Sequence, residues 1–139
     1  MKISDKFHLE DINKLKNTVF TGRTEDIKWR IQHINIVSKL LDENKKEIIK
    51  SLSIDLGKSE IEGLSEILLV KEEILLIKKK LNSWMQPKKI ETPFYLFPSS
   101  SKVIYEPLGC VLILGPYNYP LLYVLKPLVI FFQQEILQL

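Results

Sequence analysis

Apolar residues recur at helical spacing through residues 4–84, a stretch that contains no proline. The first predicted helix has an apolar face marked by Ile12, Leu15 and Val19. It stops at the Thr-Gly-Arg break of residues 21–23. Thr24 is predicted to be the N-cap of a second helix, because Glu25 and Asp26 follow it and suit the positive end of a helix dipole.

The same periodicity predicts two longer helices. The first of these helices has an apolar face that continues past the polar residues 42–46. This face is formed by Ile27, Ile31, Ile34, Val37, Leu41, Ile48 and Leu52. Gly57 is a predicted C′ residue, and Ser59 with Glu62 is typical of a capping box. The helix that follows carries Leu64, Ile67, Leu68, Val70, Ile74, Leu75 and Leu81. We therefore predict a helical segment over residues 1–84.

The helical pattern ends after Trp84. Residues 85–101 are rich in proline and serine and predict an irregular connection, in which residues 94–97 are expected to pack in an extended form. Residues 102–106 have strand character, and a Pro-Leu-Gly turn at 107–109 follows them. The chain thus changes here from helices to extended segments.

Residues 110–114 form a short apolar run of the kind found in a fully buried parallel strand. A loop at residues 115–120 comes next, and Pro120 is well placed as the first residue of a helix. The pattern therefore predicts a strand, a loop and a helix in this order.

Composition limits the class of protein. The chain has 139 residues, 45% of them hydrophobic and 27% charged, which is typical of a globular protein. The formal net charge of +3 is too small to favour nucleic-acid binding. A single cysteine excludes an intrachain disulfide and fits a reducing compartment. No apolar leader follows Met1, so a cytoplasmic location is expected.

The isolated reactive residues favour structural roles. His8 and His33 have no partners at metal-ligand spacing, so no metal site is predicted. Cys110 lies within the apolar run and is expected to be a buried hydrophobe and not a nucleophile. The glycine-rich phosphate-binding motifs of nucleotide-binding proteins do not occur in the sequence.

A membrane-associated protein is the alternative hypothesis. Residues 111–132 contain one charge, Lys126. The stretch is long enough for a membrane-spanning helix, which needs about 20 residues. They would then anchor a three-helix head that serves for interaction. Gly115, Pro116 and Pro127 interrupt the stretch, and broken backbone hydrogen bonding is costly in hydrocarbon. We therefore favour the interpretation that these residues form a buried strand, a loop and a helix of a soluble protein.

Residues 106–120 read EPLGCVLILGPYNYP and closely resemble the aldehyde dehydrogenase superfamily. In that superfamily an E-P-x-G turn, an apolar strand and a [WY]-N-[YF]-P loop occur in this order. Other pieces resemble its class 3 (fatty-aldehyde-type) branch: Gly22-Arg23-Thr24, Arg30, Asp55-Leu56-Gly57-Lys58, Glu66, Leu81, Trp84 and Thr92-Pro93. The resemblance implies an α/β fold for the whole family, of which this chain is an N-terminal helical segment followed by the start of a Rossmann-like parallel sheet.

The resemblance also implies roles for the loop. Asn118 matches the family's oxyanion-hole asparagine, and Tyr119 matches a position near the substrate tunnel. In the family, the backbone of one loop lies along the nicotinamide ribose, and the residues that match this loop are Leu114, Gly115, Pro116 and Tyr117. The implied reaction is oxidation of an aldehyde substrate to a carboxylic acid with NAD or NADP. The family's catalytic cysteine, general-base glutamate and cofactor-binding lysine lie downstream, where this sequence has no match.

These resemblances divide the chain into four parts: 1–84, the helical segment; 85–101, the connection; 102–129, the first strands and asparagine loop of an incomplete NAD-binding domain; and 130–139, a tail unlike the family. One set of codons for residues 132–139, read one base earlier, encodes Ser-Ala-Gly-Asn-Ile-Ala-Val, which restores the family pattern. We therefore expect a frameshifted, truncated protein that is inactive alone, does not bind the cofactor stably, exposes an apolar C-terminal third and lacks most of the family's homodimer interface.

Overall fold

The computed structural model describes residues 9–105 and 109–133. Within these ranges the chain forms five α-helices: α1 Leu9–Phe20, α2 Ile27–Glu43, α3 Lys45–Leu56, α4 Glu60–Trp84 and α5 Leu122–Gln133. Two short strands, β1 Lys88–Ile90 and β2 Ser101–Val103, lie between α4 and α5 in the sequence. The predicted helical segment is therefore confirmed where the structure describes it.

The core lies around α4, which packs against α2, α3 and α5. Its buried apolar residues come from α2, α4 and α5 and are Ile34, Leu41, Ile67, Val70, Ile74, Ile77, Leu81, Leu122 and Val129. Complete burial of one such side chain contributes about 1.5–3 kcal/mol. The helix predicted from the periodicity forms as α4, and its predicted apolar residues divide: Val70 and Ile74 are buried, whereas Leu68 and Leu75 are exposed.

The N-cap of α2 differs from the prediction. Asp26, and not Thr24, precedes the helix, and its Oδ1 accepts the Lys28 N–H at 2.9 Å. Thr24 lies in a short 3-10 turn, Arg23–Glu25, where its carbonyl accepts the Arg30 Nε–H at 2.6 Å. The buried Arg30 holds this turn against α2, which shifts the cap two residues along the chain.

The helix predicted to continue through residues 42–46 is divided at Asn44. The Asn44 backbone has φ −105° and ψ 12°, and its side-chain amide donates to the Leu40 carbonyl at 2.9 Å. This hydrogen bond caps the last turn of α2, and α3 begins at the next residue. The apolar face nevertheless continues, since Leu41 and Leu52 are both buried.

Both predicted caps between α3 and α4 are confirmed. Gly57 has φ +67° and donates its N–H to the Ser53 carbonyl, so α3 ends in a left-handed residue. The Ser59 hydroxyl accepts the Glu62 N–H at 3.3 Å, and the Glu62 carboxylate accepts the Ser59 N–H at 2.8 Å. The end of α3 and the start of α4 therefore follow from these local residues.

The connection after α4 is more ordered than predicted. β1 pairs antiparallel with β2, in a register that places Lys88 opposite Val103 and Ile90 opposite Ser101. The segment that joins them was predicted to pack in an extended form, which is wrong. Phe94–Leu96 is a 3-10 turn, and the side chains of Phe94 and Phe97 are exposed.

The predicted strand over residues 110–114 is not formed, and Cys110 is exposed and not buried. A parallel strand needs hydrogen-bonding neighbours at its edges, and the described residues supply none here. The helix after the loop begins at Leu122, two residues later than the Pro120 start that was predicted. Residues 106–108, with most of the predicted turn, and residues 134–139 of the tail lie outside the described ranges.

The membrane-anchor alternative finds no support in the fold. The helix that contains the second half of the proposed anchor is α5, Leu122–Gln133, and its 12 residues span about 18 Å, against a hydrocarbon thickness of about 30 Å. Lys126 on this helix pairs with Glu73 of α4 at 3.2 Å. In the described ranges, no helix has the length and apolar character needed to cross a bilayer.

Candidate active-site turn

The chain reverses direction at residues 115–121, which we call the Asn118 turn. The turn leads into α5, because the Tyr119 carbonyl accepts the Tyr123 N–H at 3.0 Å and the Leu121 carbonyl accepts the Leu125 N–H at 2.9 Å. Asn118 itself is exposed. A polar amide therefore stands on the surface directly before a helix that is packed into the core.

Gly115 fixes the start of the turn. A Cβ atom at this position would overlap the Cγ2 methyl group of Val124 on the first turns of α5. The backbone thus approaches α5 more closely than a residue with a side chain allows. The sequence marked Gly115 as a loop residue, and the structure gives the steric reason for glycine.

Glu66 fixes the end of the turn from the middle of the core. Its carboxylate is 1% exposed, accepts the Leu122 N–H at 3.0 Å through Oε2, and pairs with the Lys58 ammonium through Oε1. The first N–H groups of a helix have no partner within the helix, and the N-terminus of a helix attracts negative charge. Glu66 therefore caps α5 from a different helix.

Lys58 joins this carboxylate to the turn. Its Nζ atom lies 3.8 Å from the centroid of the Tyr119 ring, a cation–π distance. The Tyr119 ring also meets Tyr123 edge to face, with 5.8 Å between centroids. Tyr119, the residue that follows Asn118, is thus held between a cation and an aromatic ring.

Tyr117 faces a different surface. It lies with Pro120 and Leu121 beside an open groove of about 630 Å³ whose other wall is α3. Tyr119 is absent from the residues that line this groove. Tyr117 therefore lines this groove, and the expectation for Tyr119 as a tunnel residue stays a prediction.

The residues expected along a nicotinamide ribose do not form an enclosed site. Leu114 and Tyr117 are 83% and 84% exposed, and Pro116 is also exposed. A dinucleotide is normally bound in a cleft that buries most of its surface. The described residues of this stretch form one open surface, and their part in binding a cofactor stays a prediction.

Cys110 lies beside a separate cavity of about 280 Å³. The cavity is bounded by residues of α1, α2 and α5, among them Trp29, Leu128 and Phe131, and its lining includes none of residues 114–119. The prediction that Cys110 is not the nucleophile beside Asn118 stays a prediction. His33 stacks on Trp29 at 3.8 Å and donates Nδ1–H to the Trp29 carbonyl, which is a packing role.

The described ranges contain no cluster of side chains that could hold a metal ion.

The contacts of Glu66 and Lys58 with the turn were not predicted from the sequence. A signal was present: Glu66 falls on the apolar stripe of α4, where it lies beside Ile67 and one turn before Val70. A carboxylate on a buried helix face needs a donor there.

Comparison with known proteins decides the family. A profile described as "Aldehyde dehydrogenase family" matches residues 18–132, which is most of the chain and includes the Asn118 turn. The chain belongs to the aldehyde dehydrogenase family. The resemblance that the EPLG and NYP motifs implied is thereby confirmed.

The chain is similar to family 3 members of aldehyde dehydrogenase. It is 35% identical over 119 residues to aldehyde dehydrogenase family 3 member I1, chloroplastic, of Arabidopsis thaliana, a match that covers 85% of this chain and 22% of that protein. It is 37% identical over 110 residues to 4,4'-diaponeurosporen-aldehyde dehydrogenase of Staphylococcus aureus, covering 78% and 24%. The chain thus spans about a quarter of the length of these relatives.

A solved structure supports the fold. The substrate-bound state of Staphylococcus aureus AldH matches with a TM-score of 0.84 and 33% identity, over 91% of this chain and 28% of that one. The predicted fold class, an N-terminal part of an α/β aldehyde dehydrogenase, is confirmed by this match together with the mostly helical described chain.

Proposed function

We propose that this chain is the N-terminal part of an NAD(P)-dependent aldehyde dehydrogenase, that Asn118 is its oxyanion donor, and that the chain does not oxidise an aldehyde alone. The observation that carries this proposal is the exposed Asn118 on a turn fixed by Gly115, Tyr119 and Leu122. The activity is an oxidation of aldehydes to carboxylic acids, in which the nicotinamide cofactor accepts a hydride when it is bound.

The chemistry gives the amide its task. A cysteine thiolate adds to the aldehyde carbon, and the carbonyl oxygen of the resulting tetrahedral adduct carries negative charge. A side-chain N–H held on a rigid turn donates to that oxygen without reorganising, and one such donor is worth about 2.7–4 kcal/mol. Anchoring at both ends makes the Asn118 turn suitable for this purpose.

Inactivity of the isolated chain is proposed on two grounds. The only cysteine, Cys110, lines a cavity separate from the Asn118 turn. The exposed side chains of Leu114 and Tyr117 leave the cofactor wall open on one side. A nucleophile beside Asn118 and a second wall of the cofactor site would therefore come from residues outside this sequence.

The test is complementation. The purified chain is assayed for NADH or NADPH formation with a medium-chain aldehyde, first alone and then after co-expression with the part of the Staphylococcus aureus enzyme that follows the matched region. We expect no turnover alone and measurable turnover with the complement. Turnover by the chain alone, or none with the complement, would contradict the proposal.

Variants of asparagine make this test specific. In the complemented enzyme, Asn118→Ala is expected to lower kcat by about 100-fold to 1,000-fold, the loss typical of one oxyanion donor. Asn35→Ala is the matched control, because Asn35 is exposed on α2 and far along the chain from the turn. Equal activity of the two variants would remove Asn118 from the reaction.

A further inference from the structure

A buried ion pair links the helical core to the Asn118 turn. The Glu66 carboxylate and the Lys58 ammonium are both largely buried, with side-chain exposures of 1% and 11%. Burying two charges is costly unless each finds good partners. Glu66 finds the Leu122 N–H at 3.0 Å as well as Lys58, and Lys58 finds the Tyr119 ring at 3.8 Å.

These contacts reach the turn at two points on the same side of Asn118. Tyr119 follows Asn118 directly, and Leu122 is the first residue of α5. The ion pair also ties the two points to each other, since one end of the pair holds the ring and the other end holds the backbone N–H. Gly115, packed on Val124, fixes the opposite end of the turn.

We infer that Lys58 and Glu66 are positioning residues for the Asn118 amide in aldehyde oxidation. This inference rests on the proposed function. Neither residue needs to contact the aldehyde, because both act through Tyr119 and the start of α5. Misplacement of a reacting group by about 1 Å costs roughly 100-fold in rate, so a small movement of the turn is enough to lower kcat.

A purely structural ion pair would behave differently. Replacing a buried pair by a neutral pair of similar volume often leaves stability unchanged. The double variant Lys58→Met with Glu66→Gln keeps an oxygen that can accept the Leu122 N–H but removes the cation from the Tyr119 ring. In this double variant, a fall in kcat at an unchanged unfolding temperature would indicate a loss of positioning and not a loss of stability.

The experiment uses the complemented enzyme of the previous section. In Lys58→Met and in the double variant we expect kcat to fall by roughly 10-fold to 100-fold, with the KM for the aldehyde nearly unchanged and the unfolding temperature of the double variant close to that of the wild type. Lys58→Arg keeps the cation and should restore most of the activity. Lys71→Met is the control for loss of an ion pair elsewhere in the chain, because it removes the more exposed Lys71–Asp42 pair of α4 and α2.

Wild-type kcat in the double variant, or the same loss in Lys71→Met, would overturn the positioning role. Absence of turnover in the complemented wild type would overturn the proposed function instead. Amide hydrogen exchange on the chain alone then still tests the structural half of the inference, that the Lys58–Glu66 pair holds the turn.

In that measurement, Lys58→Met and Glu66→Gln are expected to accelerate exchange at the end of the turn, at the Leu122 amide that donates to Glu66, by roughly tenfold, because a weaker acceptor replaces the paired carboxylate, while the centre of α4 keeps its protection. Unchanged exchange in the turn would overturn the inference. Equal acceleration throughout α4 and α5 would also overturn it, because the pair would then stabilise the whole fold and not the turn.

Discussion

The backbone of Gly115 lies against the side chain of Val124 so closely that a methyl group on the Gly115 Cα would overlap the Val124 Cγ2 atom. Among the described residues, the glycines with positive φ are Gly22, Gly57 and Gly109, so the requirement at Gly115 is one of space and not of backbone conformation. This contact sets the distance between the start of the Asn118 turn and α5.

Gly115→Ala is therefore expected to destabilise the chain by about 1–3 kcal/mol, the usual cost of forcing extra volume into a packed contact. The measurement is urea unfolding followed by circular dichroism. Val124→Ala should relieve part of this loss in the double variant, giving a coupling free energy of roughly 0.5–3 kcal/mol. Simple additivity of the two substitutions would contradict the steric explanation.

The N-terminus of α4 provides a second, independent prediction. Ser59→Ala removes the hydroxyl that accepts the Glu62 N–H, and it should lower the free energy of unfolding by about 1 kcal/mol. Ser83→Ala, an exposed change near the other end of α4, serves as control and should stay within about 0.5 kcal/mol of the wild type. A larger effect at Ser83 than at Ser59 would disprove the role of the cap.

The capping box also predicts a dependence on pH. Hydrogen bonds from the Ser59 backbone N–H, and next from its hydroxyl, lower the pKa of Glu62 below its ordinary value of 4.5. A carboxylate whose pKa is lower in the folded state than in the unfolded state stabilises the fold above the unfolded pKa. This stabilisation is lost as the pH falls through the folded pKa.

The unfolding temperature should therefore decrease as the pH is lowered from about 5 to below 4, and part of this decrease should disappear in Glu62→Gln. The glutamine can still occupy the third position of a capping box, so the comparison isolates the charge. The measurement is thermal unfolding across the pH series. Identical pH profiles for the two proteins would refute the assignment to Glu62.

The parts of the fold that were predicted correctly depend on residues near each other in the sequence. Gly57 ends α3, and Ser59 with Glu62 begins α4, through hydrogen bonds that span three or four residues. Local spacing and residue type are sufficient to specify such contacts. The α4 periodicity succeeded for the same reason, because its buried face repeats along one helix.

The errors came from contacts between distant residues. Thr24 was predicted as a cap because nothing local revealed that Arg30 would hold it in a 3-10 turn. The contact between Glu66 and the Leu122 N–H joins residues 56 apart, and no pattern in the sequence pairs them. The prediction of a strand over residues 110–114 was wrong because such an apolar strand forms only when neighbouring strands pair with it, and the described residues provide none.

The apolar segment at residues 110–114, which forms no strand, is mostly exposed. Val111, Leu112 and Leu114 are exposed beside the Asn118 turn, as expected for an apolar segment without its sheet. Contiguous exposed apolar residues promote association. The isolated chain should therefore self-associate at rising concentration, which light scattering after size-exclusion chromatography measures as an increase in apparent mass.

Replacing Leu112 and Leu114 by lysine should reduce this increase. The matched control replaces Ile54 and Ile61 by lysine, because these helix residues are 71% and 76% exposed, close to the 73% and 83% of Leu112 and Leu114, and the added charge is the same. If both double variants remain monomeric to the same extent, net charge and not the apolar segment controls association. If only the change at Leu112 and Leu114 acts, the segment that lacks neighbouring strands is the surface through which the chain associates.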